Sequence, residues 1–255
     1  YDVYDADGKD FDWFGGIHRG FSPPDPRGGI NNLLRQEESL AFELGTRYSN
    51  AKKAFSSELT GFFTKLDDVI VPDSVGGSGA GTTTNAGEIH TMGIEAQINY
   101  DRGLHKGWAY QTPAYVAVTY TNAEFQDDIG STDLESIFAG AKSGNRVPYI
   151  PEMQVAFGLG WIYKKVSANI DASYITESFA DGTNTGSGPN VNQRLGKIDE
   201  RLVMDAAVGY QWSDKVRLFT NFRNLTQQEY IVSRQPHGPR PGAPFSMMGG
   251  LEISL

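Results

Sequence analysis

The segment Val155–Tyr174 reads VAFGLGWIYKKVSANIDASY. Two alternating runs flank the pair Lys164-Lys165. In the first run Val155, Phe157, Leu159, Trp161 and Tyr163 share one parity, and Ala156, Gly158, Gly160 and Ile162 share the other. In the second, Val166, Ala168, Ile170, Ala172 and Tyr174 alternate with Ser167, Asn169, Asp171 and Ser173. Successive side chains of a strand point to opposite faces, so the segment is a hairpin with one apolar face and one small or polar face. Each run is nine residues long. That exceeds the ~5–6 residues of an ordinary globular strand and approaches the ~9–11 needed to cross a bilayer.

The pattern recurs on both sides of this hairpin. Leu40–Ser49 sets Leu40, Phe42, Leu44, Thr46 and Tyr48 against Ala41, Glu43, Gly45, Arg47 and Ser49. Ile94–Tyr100, Arg201–Trp212 and Met247–Leu255 divide in the same way. Phe11–Gly20, Phe55–Val71, Ala114–Phe125 and Val216–Tyr230 read as less regular strands. Within them the adjacent pair Phe62-Phe63 requires one ring to face inward or a bulge, and Arg217 and Arg223 suit a polar interior. This gives about ten strands.

The links between strands alternate long and short along the whole chain. Long ones fall at Phe21–Glu38, Pro72–Gly87, Asp127–Tyr149, Phe179–Glu200 and Gln227–Pro244. Short ones fall at Asn50–Lys53, Asp101–Gly107, Lys164–Lys165 and Ser213–Asp214. Tight turns on one rim and extended loops on the other are the asymmetry of an antiparallel transmembrane β-barrel. Tyr48, Tyr100, Trp161, Tyr163 and Trp212 cluster beside the short turns, where an interfacial aromatic girdle belongs. The expected fold is all-β, with long loops outside the cell and short turns inside.

Composition sets limits. Hydrophobic residues are 39% of the 255, and no apolar run approaches the ~20 residues of a membrane helix. A barrel strand needs no such run. The net charge of −9 argues against nucleic acid as a partner. There is no cysteine, and the first residue is Tyr1 rather than Met. The expectation is that a signal has been removed or, the favoured reading, that the chain is the C-terminal part of a longer protein. His18, His90, His105 and His237 show no metal-ligand spacing. Gly76–Gly81 is glycine-rich but precedes no helix, so it reads as a loop tip rather than a phosphate cradle. Asp67, Asp68, Asp127 and Asp128 sit at strand ends and read as solvated carboxylates, with calcium as the lesser alternative. No catalytic triad or metal set suggests an enzyme.

Several stretches resemble the TonB-dependent outer-membrane receptors. They are Asn224–Tyr230 (NLTQQEY), then Ser233–Pro244 (SRQPHGPRPGAP) and a closing strand, then Glu37–Gly45 (EESLAFELG) and Gly87–Glu95 (GEIHTMGIE). Phe14–Pro24 (FGGIHRGFSPP) resembles the ferric-citrate and siderophore branch. The chain departs from the pattern by ending in Leu255 where such barrels commonly end in an aromatic residue. The resemblance implies a 22-strand barrel with a plugged lumen, of which this chain is the C-terminal portion, 1–255, with the plug domain and earlier strands outside it. It implies a receptor in the outer membrane of a Gram-negative bacterium that actively takes up a ferric chelate. Its partners would be outer-membrane lipid, the chelate, and TonB through an absent N-terminal region. It implies no cofactor and no bond chemistry.

Candidate ligand-binding residues are Arg234, His237 and Arg240 in the last long loop, and Arg19, Arg27 and Arg35 around the first. Arginine forks suit carboxylate oxygens, as an anionic chelate such as ferric citrate would present. The bland alternative is that these arginines pair with loop carboxylates. Pro236, Pro239, Pro241 and Pro244 stiffen the last loop and lower the ordering cost of capture. The rival functions are a passive porin-like or adhesive small barrel, which would conduct ions without an energy source, and a soluble β enzyme or lectin, which would need no detergent.

Overall fold

The computed structural model describes residues 2–6, 9–24, 34–50, 52–72, 83–85, 87–129, 136–185 and 193–254. In chain order the strands begin with β1 (Asp2–Ala6), β2 (Lys9–Ser22), β3 (Glu37–Ser49) and β4 (Phe55–Asp67). A small hairpin follows, β5 (Ile70–Pro72) with β6 (Thr83–Asn85). Then come β7 (Ile89–Asp101), the single helical turn α1 (Arg102–Lys106), β8 (Pro113–Phe125), β9 (Met153–Tyr163) and β10 (Val166–Ile175). A second small pair is β11 (Ser178–Phe179) with β12 (Lys197–Ile198). After β13 (Arg201–Ser213) and β14 (Val216–Arg223), a third pair, β15 (Ile231–Ser233) with β16 (Arg240–Pro241), precedes β17 (Ser246–Ile253).

Eleven strands form one antiparallel sheet in the order β1-β2-β3-β4-β7-β8-β9-β10-β13-β14-β17. Ten of these are the long strands expected; the eleventh is the short β1. No helix among the described residues is long and apolar enough to cross a membrane. β3, β4, β7, β8 and β13 are 13 residues each. That is about 43 Å of strand, more than a ~25 Å apolar band needs at a tilt of ~40°. The upper ends of these strands therefore carry the long loops clear of the band.

Register fixes the faces. Leu44, Gly61, Ile94, Tyr120 and Met153 lie in one continuous row across five strands. Leu159, Ile170, Ala206, Phe222 and Met247 continue the same parity. This face leaves Ile17 71%, Leu44 63% and Trp212 65% exposed. An apolar sheet face of this extent requires a hydrophobic solvent. Aromatic contacts line its short-turn margin: Tyr48–Phe55, Phe55–Tyr100, Trp161–Tyr163 and Tyr210–Trp212.

The opposite face is polar and pairs its charges across strands. Arg47 donates to Glu58 at 2.8 Å, and Arg217 lies 3.7 Å from Glu252. The Tyr115 hydroxyl donates to Asp171 at 2.9 Å. It does so by crossing Gly158, where a Cβ would lie 2.3 Å from the ring. Phe62 faces this inner side beside Gly93 while Phe63 stacks outward on Phe42. The β3–β4 register has no bulge, so the adjacent phenylalanines divide between the faces.

Several boundaries differ from the sequence expectation. β4 stops at Asp67 instead of running to Val71, because Asp68 takes a φ of 56° and turns the chain into the β5–β6 hairpin. β14 stops at Arg223 rather than Tyr230, because Asn224 takes a φ of 51°. Asn224-Leu225-Thr226 thus lies beyond the strand, not inside it. The connection after β7 is longer than a turn and holds α1. Asp101 caps it by accepting from Leu104 N–H, and Gly107 ends it at a φ of 69°. The glycine-rich segment 76–81 and Leu255 lie outside the described residues.

Candidate functional site

The conventional buried core sits at the long-loop rim. Val69, Ile89, Ala123, Phe125, Ile129, Ala141 and Val147 form it, with Leu66, Phe138 and Ile150 packed on its flank. It lies beneath the 126–152 loop and anchors that loop to the ends of β7 and β8. Water is therefore excluded under the loop rather than within the sheet.

Three long loops are then knitted together. Asn184 and Arg146 exchange hydrogen bonds, with Arg146 N–H donating to Asn184 Oδ1 at 2.7 Å and Asn184 Nδ2 returning one to Arg146 O at 2.9 Å. Asn145 Nδ2 donates to Gly182 O, and Gly182 N–H donates to Ile137 O. These bonds join loop 126–152 to loop 176–200. Loop 224–245 joins both. The Tyr149 hydroxyl accepts from Arg234 and Gln235 N–H groups at 3.3 and 3.0 Å. Arg194 Nε donates to Gln235 Oε1, and Gln235 Nε2 donates back to Arg194 O. Gln235 is 6% exposed, so this reciprocal pair is protected from water.

Asp181 is the hub of the middle loop. It is 3% exposed and accepts from the Thr183 and Thr185 hydroxyls, Thr185 N–H and Gly196 N–H. A buried carboxylate is tolerated when its lone pairs are filled in this way. Asn224 does the same for the base of the last loop. Its amide donates to Gln228 O and Ala243 O, and its carbonyl accepts from Gln228 N–H and the Thr226 hydroxyl.

The six candidate arginine and histidine positions separate under this geometry. Arg234 is a structural tie, donating through Nε to Lys197 O at 2.8 Å and through Nη1 to Gln193 O. His237 and Arg240 are exposed in the same loop. Arg19 leaves the sheet on the apolar outer face, on the same parity as Ile17 and Phe21, and pairs with Glu38 at 2.9 Å. Arg35 pairs with Asp68 at 2.6 Å. Arg27 lies outside the described residues. The structure thus brings Arg234, His237 and Arg240 into one loop and places Arg19 and Arg35 on separate carboxylates.

The strand-end carboxylates also have partners. Asp67 lies 3.0 Å from Lys65, and Asp127 accepts Glu88 N–H. Asp128 accepts from Lys142 and from Ser143 N–H. The Lys142 ammonium and that N–H hold the Asp128 carboxyl below its ordinary value. Among the described residues no group of three or more His, Asp or Glu is arranged to hold a metal.

Sequence reading missed Tyr149, Asp181 and Gln235, whose roles depend on partners in other loops. It also missed one inner-face feature. Arg201 lies with its guanidinium carbon 5.5 Å from the Tyr230 ring centroid. The hydroxyl-bearing end of the Tyr230 ring in turn packs close against Gly242, where a Cβ would come within 2.1 Å of it.

The described sheet and loops match a known family. The model for the TonB dependent receptor-like β-barrel matches residues 3–225, and the chain belongs to that family. Its members are transport receptors rather than enzymes. A comparison with curated proteins finds no match. Among solved structures the chain is similar to the ferric citrate transporter FecA in its unliganded form, with 20% identity and a TM-score of 0.74 over 98% of this chain. It is similar to the siderophore receptor PiuA from Acinetobacter baumannii, with 18% identity and a TM-score of 0.72 over 97%. It is also similar to the copper transporter OprC, with 16% identity and a TM-score of 0.70 over 100%. The chain spans 36%, 34% and 37% of those three chains respectively. At these identities the likeness is one of fold.

Proposed function

We propose that this chain is the C-terminal part of the barrel of an outer-membrane receptor that takes up a ferric chelate. A plug domain outside the chain would couple it to TonB. The observation that carries the reading is the division of the sheet into an apolar outer face and a polar inner face, capped at one rim by three interlocked loops. Such a wall needs lipid outside and an aqueous or plugged lumen inside. A fixed loop platform over a lumen suits capture of a soluble ligand better than adhesion by mobile loops. The FecA and PiuA likenesses favour a ferric chelate, and the exposed His237 and Arg240 would meet its anionic oxygens. Arg234 would act by shaping the loop. Arg27 stays in this proposal, while Arg19 and Arg35 would meet ligand only by leaving Glu38 and Asp68.

The test is the intact mass of the native protein extracted from outer membranes, followed by uptake of radiolabelled iron with and without TonB. A mass far above 27.9 kDa and TonB-dependent uptake are expected. A mass near 27.9 kDa with ion conductance in the absence of an energy source would replace uptake with a passive pore.

A further inference from the structure

Charge is divided unevenly between the two rims of this sheet. The turns after β3, β7, β9 and β13 share one rim, because each of these strands runs toward it and the next runs back. They are residues 50–53 (NAKK), 101–107 (DRGLHKG), 164–165 (KK) and 213–215 (SDK). These 16 residues hold seven Lys and Arg against two Asp, nearly a third of the 22 basic residues of a chain whose net charge is −9. All seven are exposed. Among the described residues only Lys53 has a carboxylate partner, Asp10. Lys52 and Lys165 donate to main-chain carbonyls of the adjacent turns, His105 O and Trp212 O, both at 3.2 Å. Arg102, Lys106, Lys164 and Lys215 make no hydrogen bond or ion pair among the described residues.

The long-loop rim differs. There Arg19, Arg35, Lys65, Lys142, Arg146 and Lys197 each lie within 3.7 Å of a carboxylate. At the short turns the acids are spent elsewhere. Asp101 accepts the Leu104 and Thr112 N–H groups, and Asp10 holds Lys53, which leaves Asp214 against six cations. Each of the four turns also meets outward-facing rings: Tyr48 and Phe55, Tyr100, Trp161 and Tyr163, Tyr210 and Trp212. The Lys164 ammonium stands 5.0 Å from the Tyr163 ring centroid, and the Arg102 guanidinium carbon 5.4 Å from that of Trp108. Amphipathic rings mark the headgroup level of a bilayer, so the cations lying back on them stand at the depth of lipid phosphate.

We propose that this rim is a binding surface for anionic phospholipid, its ammonium and guanidinium groups taking the phosphate oxygens of phosphatidylglycerol-type headgroups. The proposal rests on the outer-membrane reading with the long loops outside, and goes past it to a lipid class and a leaflet. In that orientation the short turns meet the inner leaflet, which is built of phospholipid. A basic residue near an anionic surface strengthens attraction about fivefold, and the effect fades beyond ~10 Å at 0.1 M salt. Cations at ring depth fall within that range. A zwitterionic headgroup carries its own ammonium beside the phosphate and offsets the gain, so the rim discriminates between the two lipid types. An anionic cell-wall polymer would call instead for cations that project away from the girdle.

The experiment titrates the full-length receptor in detergent with phosphatidylglycerol and with phosphatidylcholine, and reads bound lipid by native mass spectrometry. The wild type is expected to bind phosphatidylglycerol about fivefold more tightly or better. The triple variant K106Q/K164Q/K215Q is expected to lose about tenfold for phosphatidylglycerol and nothing for phosphatidylcholine. The triple K106R/K164R/K215R keeps the charge and the wild-type preference. Lys142→Gln, on the opposite rim, leaves both affinities unaltered. Should the triple glutamine variant fail to fold, Lys164→Gln alone is expected to lose a few fold for phosphatidylglycerol. Equal binding of the two lipids by the wild type overturns the proposal, as does unchanged phosphatidylglycerol affinity in the triple glutamine variant. Loss of co-sedimentation with purified peptidoglycan in that variant, at unchanged phosphatidylglycerol affinity, assigns the rim to the cell wall and overturns it too. A tag in the 164–165 turn that is labelled on intact cells places the short turns outside, and overturns the orientation itself whatever the lipid affinities.

Discussion

At the scale of single residues, the faces of the sheet determine what a substitution does. Leu44 and Leu159 point toward lipid, at 63% and 56% exposure. Leu44→Arg is expected to destabilise the barrel by about 2–4 kcal/mol if it lies near the bilayer midplane, against well under 1 kcal/mol for Gln97→Arg on the inner face. Urea unfolding in lipid vesicles measures both. Asn224 is the most demanding position. Its side chain fills four hydrogen bonds at 2% exposure and its backbone is left-handed. Asn224→Ala is expected to cost about 2–3 kcal/mol, from unpaired buried groups and a strained φ. Asn224→Gly relieves the strain alone and should recover about 1 kcal/mol of it in the same measurement. The alternation of Val155–Tyr174 made the lipid-facing set legible in the sequence. The left-handed turns at Asp68 and Asn224 were not, because aspartate and asparagine tolerate both strand-end and turn conformations, and only tertiary partners decide between them.

At the scale of elements, the loops are the informative parts. Strand positions were readable because a strand's periodicity is local. The pairs β5–β6, β11–β12 and β15–β16 were not, since two- and three-residue strands carry no period. Nor were the bonds from Tyr149 to Arg234 and Gln235, which span 85 and 86 residues. Asp181→Ala is expected to free the middle loop and open 176–200 to limited proteolysis, while the strands stay protected. Cleavage no faster than in the wild type would remove Asp181 as the hub. In the 126–152 loop the tie between Asp128 and Lys142 depends on pH. The Asp128 carboxyl is held below its ordinary 3.8 when folded. Its contribution is therefore complete above that ordinary value and is lost as pH falls through the lower folded one. Exchange protection at Ser143 N–H, corrected for intrinsic rates, should hold near neutral pH and fall only as the pH is taken below the carboxyl's ordinary value and through its lowered folded one. Constant protection would assign that amide's stability to other contacts.

At the scale of the whole molecule, the sheet order was the most legible feature. An antiparallel meander needs no long crossover, so chain order and spatial order coincide. The candidate site was legible only in part. His237 and Arg240 could be singled out by residue type and loop, but Arg234 acquires its tying role from Lys197 and Tyr149, 37 and 85 positions away in the chain. Heating is expected to separate the two levels. The loop platform should lose protection to proteases at a lower temperature than the strands, whose backbone bonds are made to neighbouring strands along their whole length. A single transition for both would show that the platform and the sheet unfold together. The interlocking of the loops also bears on how such a receptor can be altered. Transplanting one of these three loops from a relative severs bonds to the other two, so specificity should move between barrels only when all three are exchanged as a set. For the same reason, an antibody against this rim would recognise a surface assembled from distant parts of the chain, and isolated loop peptides would neither elicit it nor compete with it.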